Sequence, residues 1–344
     1  MTWFDESRLD DEMALGSADL RLRTLAESGA RIRREAYAAT EALAEAVGRV
    51  ADARPRAVIA AGPDSRLLRA VLEPWCPVPF VAWPSAGLPG WAGSLDLVVV
   101  LAPDGSDTGT ASAVAEAARR GCQVVVACPT ESSVAMHAAG RWTTILPTET
   151  GDQLATAVVM LSFLHQVALG PSSDPTAVAE ALDDVAISCS PQRDISINPA
   201  KMLAISLADA APVVWGGSVL AARAARRVAE LIRRTSGRTA VAGDAEHLLP
   251  VIEASRPRNV FADPYADGSR AGSERRPVLL VLDDGAVDPV AQEQRDRLEA
   301  AARAGDVRVE AVTAEADGEV ARYASLLLSG TYAAEYLRLG LVED

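Results

Sequence analysis

The chain lacks any long hydrophobic segment. In its 344 residues no run approaches the roughly 18 consecutive apolar residues that a transmembrane helix requires. Residues 1–11 are acidic and contain no apolar stretch of the kind found in secretory signals. These two absences predict a cytoplasmic protein that makes no contact with a membrane.

Cysteine and histidine are also scarce. The four cysteines have no Cys-x-x-Cys spacing, and the three histidines form no cluster with cysteines or carboxylates at metal-ligand spacing. Cysteines placed in this way suit a reducing compartment, where they serve as small buried apolar residues. The sequence therefore predicts neither a metal site nor a bound cofactor.

Positive charge is in deficit. The formal net charge is −14, and the arginines at residues 223–238 form the one notable basic cluster, at helical spacing. Because an acidic surface repels phosphate backbones, we expect no nucleic-acid partner. The 49% of apolar residues is typical of a globular protein, and the length is enough for two domains.

Short apolar strands alternate with Ala-rich helical stretches along most of the chain. The first fifty residues predict one or two amphipathic helices. Two sets of five runs rich in Val, Ile and Leu follow, at residues 56–62, 78–83, 95–102, 122–128 and 141–146, and then at 211–217, 238–243, 258–262, 277–285 and 307–312. Continuously apolar strands of this kind indicate parallel sheets covered on both faces.

The repeated count of strands predicts an α/β protein with two doubly wound lobes, each with a five-stranded parallel sheet, plus amino-terminal helices. We expect the helices at residues 1–50, the first domain at 51–170, a linker and helix at 171–205, and the second domain at 206–344. The Gly- and Asp-rich residues 263–274 predict an exposed loop.

Three segments give the chain a resemblance to a known family. They are NPAKMLAISLADAAPVVWGG at 198–217, YASLLLSGTYAAEYLRLG at 323–340 and PFVAWPSAGLPGWAGSLDLVVV at 79–100. These segments resemble the bifunctional phosphoglucose/phosphomannose isomerases, which are built from two sugar isomerase (SIS) domains. The resemblance implies a homodimer that binds a sugar phosphate or other carbohydrate derivative in the cleft between its lobes.

The phosphate-binding loop of the family is altered in this chain. The resemblance aligns that loop with residues 101–110, where Gly105 and Thr110 match but two aspartates, Asp104 and Asp107, replace hydroxyl residues. Ser106 and Thr108 could supply hydroxyls if the loop were shifted. The alternative is that Asp104, Ser106 and Asp107 only cap the following helix.

Two glycine-containing turns complete the predicted binding residues. In the first lobe the resemblance assigns Gly62, Asp64 and Ser65 to the ligand, with Asp64 in place of the family's serine. In the second lobe the turn formed by Gly216, Gly217 and Ser218 opens a helix and is a further ligand-binding candidate. Because this turn has no Gly-x-Gly-x-x-Gly run, it argues against a dinucleotide enzyme.

The catalytic base of the family is missing from its usual place. The resemblance places Thr235 where the family has a glutamate, and a hydroxyl cannot abstract a carbon-bound proton at neutral pH. Glu246 and His247 are the remaining catalytic candidates. We therefore expect aldose–ketose isomerisation to be lost or weak; the alternative is an active glucose/mannose 6-phosphate isomerase that uses residues near Glu246 and His247.

Overall fold

The structure is a computed structural model that describes residues 3–50, 54–255 and 275–342. Contacts within the chain divide it into two units. One, here called the middle unit, is Ser28–Glu180; the other, here called the terminal unit, combines Met1–Glu27 with Ala181–Asp344. The domain boundaries expected from the sequence stay a prediction.

The first fifty residues hold more helices than the sequence analysis expects. The elements are β1 (Trp3–Phe4), a 3-10 helix (Glu6–Leu9), α1 (Glu12–Ala26), α2 (Ser28–Ala38) and α3 (Thr40–Val50). The expectation of one or two helices is wrong because single turn residues at positions 27 and 39 divide the helical stretch into three. The first of these helices packs within the terminal unit, and α2 and α3 pack within the middle unit.

The middle unit contains a five-stranded parallel sheet, as expected. Its further elements are β2 (Val58–Ala61), α4 (Ser65–Leu72), β3 (Phe80–Trp83), β4 (Leu97–Leu101), α5 (Thr108–Arg119), β5 (Gln123–Cys128), α6 (Ser133–His137), β6 (Thr143–Pro147) and α7 (Gln153–Gln166), and α8 (Pro175–Ser188) crosses the unit boundary. The strand order is β3-β2-β4-β5-β6. Every residue of β2 and β4 is buried, which explains their continuously apolar sequences.

The terminal unit contains a second parallel sheet with four strands among the described residues. Its elements are a 3-10 helix (Ile195–Ile197), α9 (Pro199–Leu207), β7 (Ala210–Gly216), α10 (Val219–Ser236), β8 (Val241–Ala242), α11 (Ala245–Glu253), β9 (Arg276–Asp283), α12 (Pro289–Ala304), β10 (Arg308–Thr313), α13 (Glu319–Gly340) and β11 (Leu341–Val342). The order is β10-β9-β7-β8, and β1 pairs antiparallel with β11 in a separate ribbon. The predicted strand at 258–262 and loop at 263–274 lie outside the described residues.

Among the described residues, the strands of the two sheets follow the same spatial order. In the middle sheet β2 pairs with β3 and β4, and in the terminal sheet β7 pairs with β8 and β9. The strand β9 therefore takes the place beside β7 that β4 takes beside β2, and β10 takes the place beside β9 that β5 takes beside β4. The order reverses beside the first strand of each sheet, which is where doubly wound sheets open a crevice at their carboxyl edge.

No helix within the described ranges 3–50, 54–255 and 275–342 combines the length and apolar character needed to cross a membrane.

Candidate functional site

A cavity of about 340 Å³ lies at the carboxyl ends of β7 and β9 in the terminal unit. These two strands are neighbours, and their register sets Gly216 opposite Leu282, so the segments that follow them form the two sides of the cavity. Its lining includes Trp215, Gly217, Ser218, Asp283, Asp284, Asp288 and Arg295. The cavity thus occupies the position where the strand order reverses, which is the usual ligand site of a doubly wound sheet.

The turn after β7 requires both of its glycines. A Cβ on Gly216 would lie 2.3 Å from the carbonyl carbon of Ala221, and a Cβ on Gly217 would lie 2.8 Å from the Cβ of Ala291. Ser218 then begins α10, because its hydroxyl accepts a 3.0 Å hydrogen bond from the Ala221 amide. The predicted ligand-binding residues Gly217 and Ser218 line the cavity, and Gly216 allows the close approach of helix and strand.

A buried carboxylate accepts a hydrogen bond from the residue that begins α10. The Ser218 hydroxyl donates a hydrogen bond to Asp284, which follows β9 and is 6% exposed. The Ala286 amide also donates to this carboxylate, at 3.3 Å. A helix start favours a negative charge, and here the carboxylate of Asp284 supplies one.

A second aspartate holds the one arginine among the described lining residues of the cavity. Arg295 contacts Asp283 at 2.7 Å and Glu299 at 2.8 Å. Burial opposes ionisation of Asp283, but hydrogen bonds from the Gly285 amide and Arg295, together with the arginine charge, lower the pKa of Asp283 overall. Two carboxylates therefore hold the guanidinium of Arg295.

The corresponding position of the middle unit brings together the turn after β2 and the start of α5. Gly62 has a φ of +90°, and a Cβ there would lie 2.9 Å from the hydroxyl of Thr110. Asp64 accepts a hydrogen bond from Gln153 at the start of α7. Ser65 is buried, and its hydroxyl has no hydrogen-bond partner among the described residues. The structure thus places Gly62, Thr110, Asp64 and Ser65 at one edge of the sheet.

The loop after β4 is organised as a helix cap. Asp107 accepts hydrogen bonds from the amide of Thr110 at 2.6 Å and from its hydroxyl at 2.7 Å. The Thr110 hydroxyl and amide lower the pKa of Asp107. Gly105 has a φ of +63° and lies against Ser132, while Ser106 and Thr108 are exposed. The capping interpretation therefore describes Asp107, whose carboxylate uses the same donors that would otherwise be available to an anion.

The predicted catalytic residues lie away from the cavity lining. Glu246 and His247 are exposed in the first turn of α11, which follows β8 at the carboxyl edge of the terminal sheet. Neither lines the cavity. Thr235 lies in the last turn of α10, where its hydroxyl donates to the carbonyl of Leu231 at 2.9 Å. The catalytic assignment of Glu246 and His247 stays a prediction.

Sequence reasoning missed Asp283, Asp284, Asp288 and Arg295. A signal was present, because two adjacent aspartates end the apolar run of β9 and parallel strands end at a common edge. The link between Ser218 and Asp284 joins residues 66 positions apart and depends on the pairing of β7 with β9.

In the part of the chain that the structure describes, no group of three His, Cys, Asp or Glu side chains could hold a metal ion.

Comparison with known proteins gives this geometry a context. Residues 196–340 match the family model of the bacterial phospho-glucose isomerase C-terminal SIS domain. The chain has a SIS fold. No curated protein matches it by sequence. Since the matched region includes β7, β9 and α10, the cavity lies within the part of the chain that matches this family model.

Solved structures share this SIS fold at low sequence identity. Tagatose-6-phosphate ketose/aldose isomerase from Escherichia coli superposes with a TM-score of 0.65 and 13% identity, over 92% of this chain and 93% of that one. The C-terminal domain of glucosamine-fructose-6-phosphate aminotransferase from Francisella tularensis gives 0.63 and 11%, over 92% and 94%. A glucose-6-phosphate isomerase like protein from Thermus thermophilus gives 0.50 and 18%, over 83% and 82%. The predicted SIS fold is confirmed.

Proposed function

We propose that this SIS protein binds a sugar phosphate or related carbohydrate derivative and has lost, or retains only weakly, aldose–ketose isomerisation. The fold it shares with phosphosugar isomerases supports the first part. The cavity at the carboxyl ends of β7 and β9 supports it as well, since this is where doubly wound sheets bind ligands.

The environment of Thr235 carries the second part of the proposal. Isomerisation requires a base that moves a proton between two neighbouring carbons of the sugar. By resemblance that base belongs at Thr235, whose hydroxyl instead donates to the Leu231 carbonyl of its own helix. Loss of a general base typically lowers the rate by about two to four orders of magnitude.

The loop after β4 supports the same conclusion. A phosphate dianion placed there would compete with the carboxylate of Asp107 for the amide and hydroxyl of Thr110. It would also meet the charge of Asp107, because the lowered pKa keeps that carboxylate ionised at neutral pH. A weaker phosphate anchor would remove binding energy that positions the reacting carbons.

A coupled isomerase assay tests the proposed loss of isomerisation directly. The purified full-length protein is incubated with fructose, mannose and glucose 6-phosphates, and an active phosphoglucose isomerase is run in parallel. We expect turnover at or near the background rate for all three substrates. Turnover within about two orders of magnitude of the active enzyme would contradict the proposal, since it would require a working base.

Glu246 and His247 define the alternative, an active phosphosugar isomerase with a relocated base. Their exposure at the carboxyl edge of the terminal sheet is the observation in its favour. If turnover were found, Glu246→Gln and His247→Gln would test it, because a general base or acid at either position would lose most of its activity on substitution. Unchanged turnover in both variants would exclude these two residues.

Two further expectations belong to this proposal. By resemblance we propose a homodimer, which light scattering at micromolar concentration would test, and a cytoplasmic location. A monomeric mass would contradict the dimer without affecting the ligand.

A further inference from the structure

The chain contains a single lysine. Of its 33 lysine and arginine residues, Lys201 is the one lysine. Lysine side chains are the usual acceptors of acyl groups in proteins, and they are almost never fully buried. Lys201 lies in the first turn of α9, and its side chain is 0% exposed. The folded chain therefore presents no lysine amine at its surface.

Three acceptors surround the ammonium of Lys201 within the terminal unit. Its Nζ donates to the carboxylate of Asp10 at 2.6 Å, to the carbonyl of Pro191 at 2.9 Å and to the carbonyl of Arg193 at 2.8 Å. The ring centroid of Tyr336 lies 5.6 Å from the same atom. Because an ammonium has three N–H donors and no acceptor, its hydrogen-bonding capacity is used completely. In this arrangement the nitrogen has no lone pair with which to attack an acyl carbon.

The cover over Lys201 is thin. Residues 190–197, all of which the structure describes, supply two of the three acceptors and include no buried residue. The side chain of Asp10, the third acceptor, is 39% exposed. A segment with few buried apolar contacts opens at a lower free energy than the whole domain unfolds. Opening of residues 190–197 removes two acceptors from the ammonium and gives solvent access to it.

We infer that Lys201 is a conditional acylation site, which folded copies withhold and copies with residues 190–197 opened expose. The acyl donor is an activated ester or thioester. The amine nitrogen forms a bond to the acyl carbon, the bond from that carbon to its leaving group breaks, and the amine releases a proton to solvent. This inference goes beyond the proposed carbohydrate binding and does not depend on it.

The acyl group prevents the segment from closing again. An acylated lysine is a neutral amide with one N–H donor, whereas the closed site offers three acceptors, one of them the carboxylate of Asp10. Closing over the amide would leave two acceptors without a donor and would bury the added group. Acylation therefore marks the opened copies and keeps them open.

Acylation by the N-hydroxysuccinimide ester of acetic acid tests the inference. The full-length protein carries Arg297→Lys, which places a reference amine at an exposed position of α12 in the same unit. Mass spectrometry of the digested protein follows acylation at position 201 and at the reference position. We expect position 201 to react at least about a hundredfold more slowly than the reference in the native protein, because opening limits the reaction.

Removal of the charge of Asp10 tests the ion pair. Asp10→Asn keeps the size of the side chain but replaces a charge-assisted hydrogen bond with a weaker neutral one. We expect acylation at position 201 to become about tenfold faster, with the reference amine unchanged. Asp19→Asn is the matched control, because Asp19 pairs with the exposed Arg23 on the surface of α1. Circular dichroism shows whether each variant is folded.

A urea series on the protein with its native Asp10 separates local opening from global unfolding and does not depend on the folding of Asp10→Asn. We expect acylation at position 201 to accelerate at urea concentrations below the unfolding midpoint, because residues 190–197 open first. The acceleration at the reference position should be small over the same range, since that amine is already exposed.

Slow acylation at position 201 that both Asp10→Asn and low urea accelerate, and that Asp19→Asn leaves unchanged, supports the inference. A native rate at position 201 within about tenfold of the reference would overturn it, because the site would then be open in the folded protein. Acylation that begins only at the unfolding midpoint would overturn the local opening. A folded Asp10→Asn variant with an unchanged rate would overturn it as well.

Discussion

Replacing Asp107 with alanine tests whether this residue is a helix cap. The carboxylate accepts two hydrogen bonds from Thr110 and begins α5. Loss of an aspartate cap costs about 1 kcal/mol, and loss of the negative charge at a helix start costs about 0.5 kcal/mol more. We expect Asp107→Ala to lower the free energy of unfolding by about 1.5 kcal/mol and Asp107→Asn by about 0.5 kcal/mol.

Urea denaturation at pH 7, followed by tryptophan fluorescence, suits this measurement. Four of the six tryptophans, Trp75, Trp83, Trp91 and Trp142, belong to the middle unit that contains Asp107, so the signal reports mainly on that unit. An unfolding midpoint of Asp107→Ala equal to that of the unchanged protein would refute the capping interpretation.

The pH dependence supplies a second test of the same residue. The pKa of Asp107 is lower in the folded protein than in the unfolded chain, where it is about 3.9. Its stabilising contribution is therefore complete above that unfolded value and is lost as the pH falls through the folded pKa. We expect the difference between the unchanged protein and Asp107→Ala to narrow below about pH 4. A difference that stays constant down to about pH 2 would contradict an ionised cap.

Three further substitutions test other parts of the structure. Lys201→Met should lower the free energy of unfolding by about 3 kcal/mol in urea denaturation. The reason is that the fully buried Lys201 ammonium donates to Asp10 at 2.6 Å and to two backbone carbonyls. A loss below about 1 kcal/mol would contradict this. Gly216→Ala should lower the free energy of unfolding by about 2 kcal/mol, because the new Cβ would meet the backbone of Ala221. The control Gly16→Ala, whose Cβ would have no atom within 4 Å, should leave the stability unchanged or raise it. Equal melting temperatures for the two variants would refute the steric argument. Thr235→Glu alone should produce no isomerase activity in the coupled assay, because Asp107 would still accept the hydrogen bonds of Thr110 that a phosphate would need. Measurable turnover would show that the base was the one missing element.

The sheets were predictable from sequence because their strands are buried on both faces. Each residue of β4, Leu97–Leu101, is buried, and a run of five apolar residues between turns allows few other structures. The cap at Asp107 was also predictable as an alternative, since its partner Thr110 is three residues away. Features with local causes of this kind could be inferred without knowledge of the fold.

The arrangement around the cavity has non-local causes. The pairing of Ser218 with Asp284 requires β7 and β9 to be neighbours, and the sequence contains ten apolar runs without stating their order. The division of the first fifty residues between two units has a similar origin, because α1 and α2 are separated by a short break and join different cores. Residue spacing predicts each helix and strand, but it does not identify the element against which that helix or strand packs.

The coupled isomerase assay with fructose, mannose and glucose 6-phosphates tests the central claim most directly. A protein whose expected base position carries Thr235, hydrogen-bonded to its own helix, should convert none of them faster than a rate about two orders of magnitude below that of an active phosphoglucose isomerase. Conversion of any one at a rate comparable to that of the active enzyme would contradict the claim.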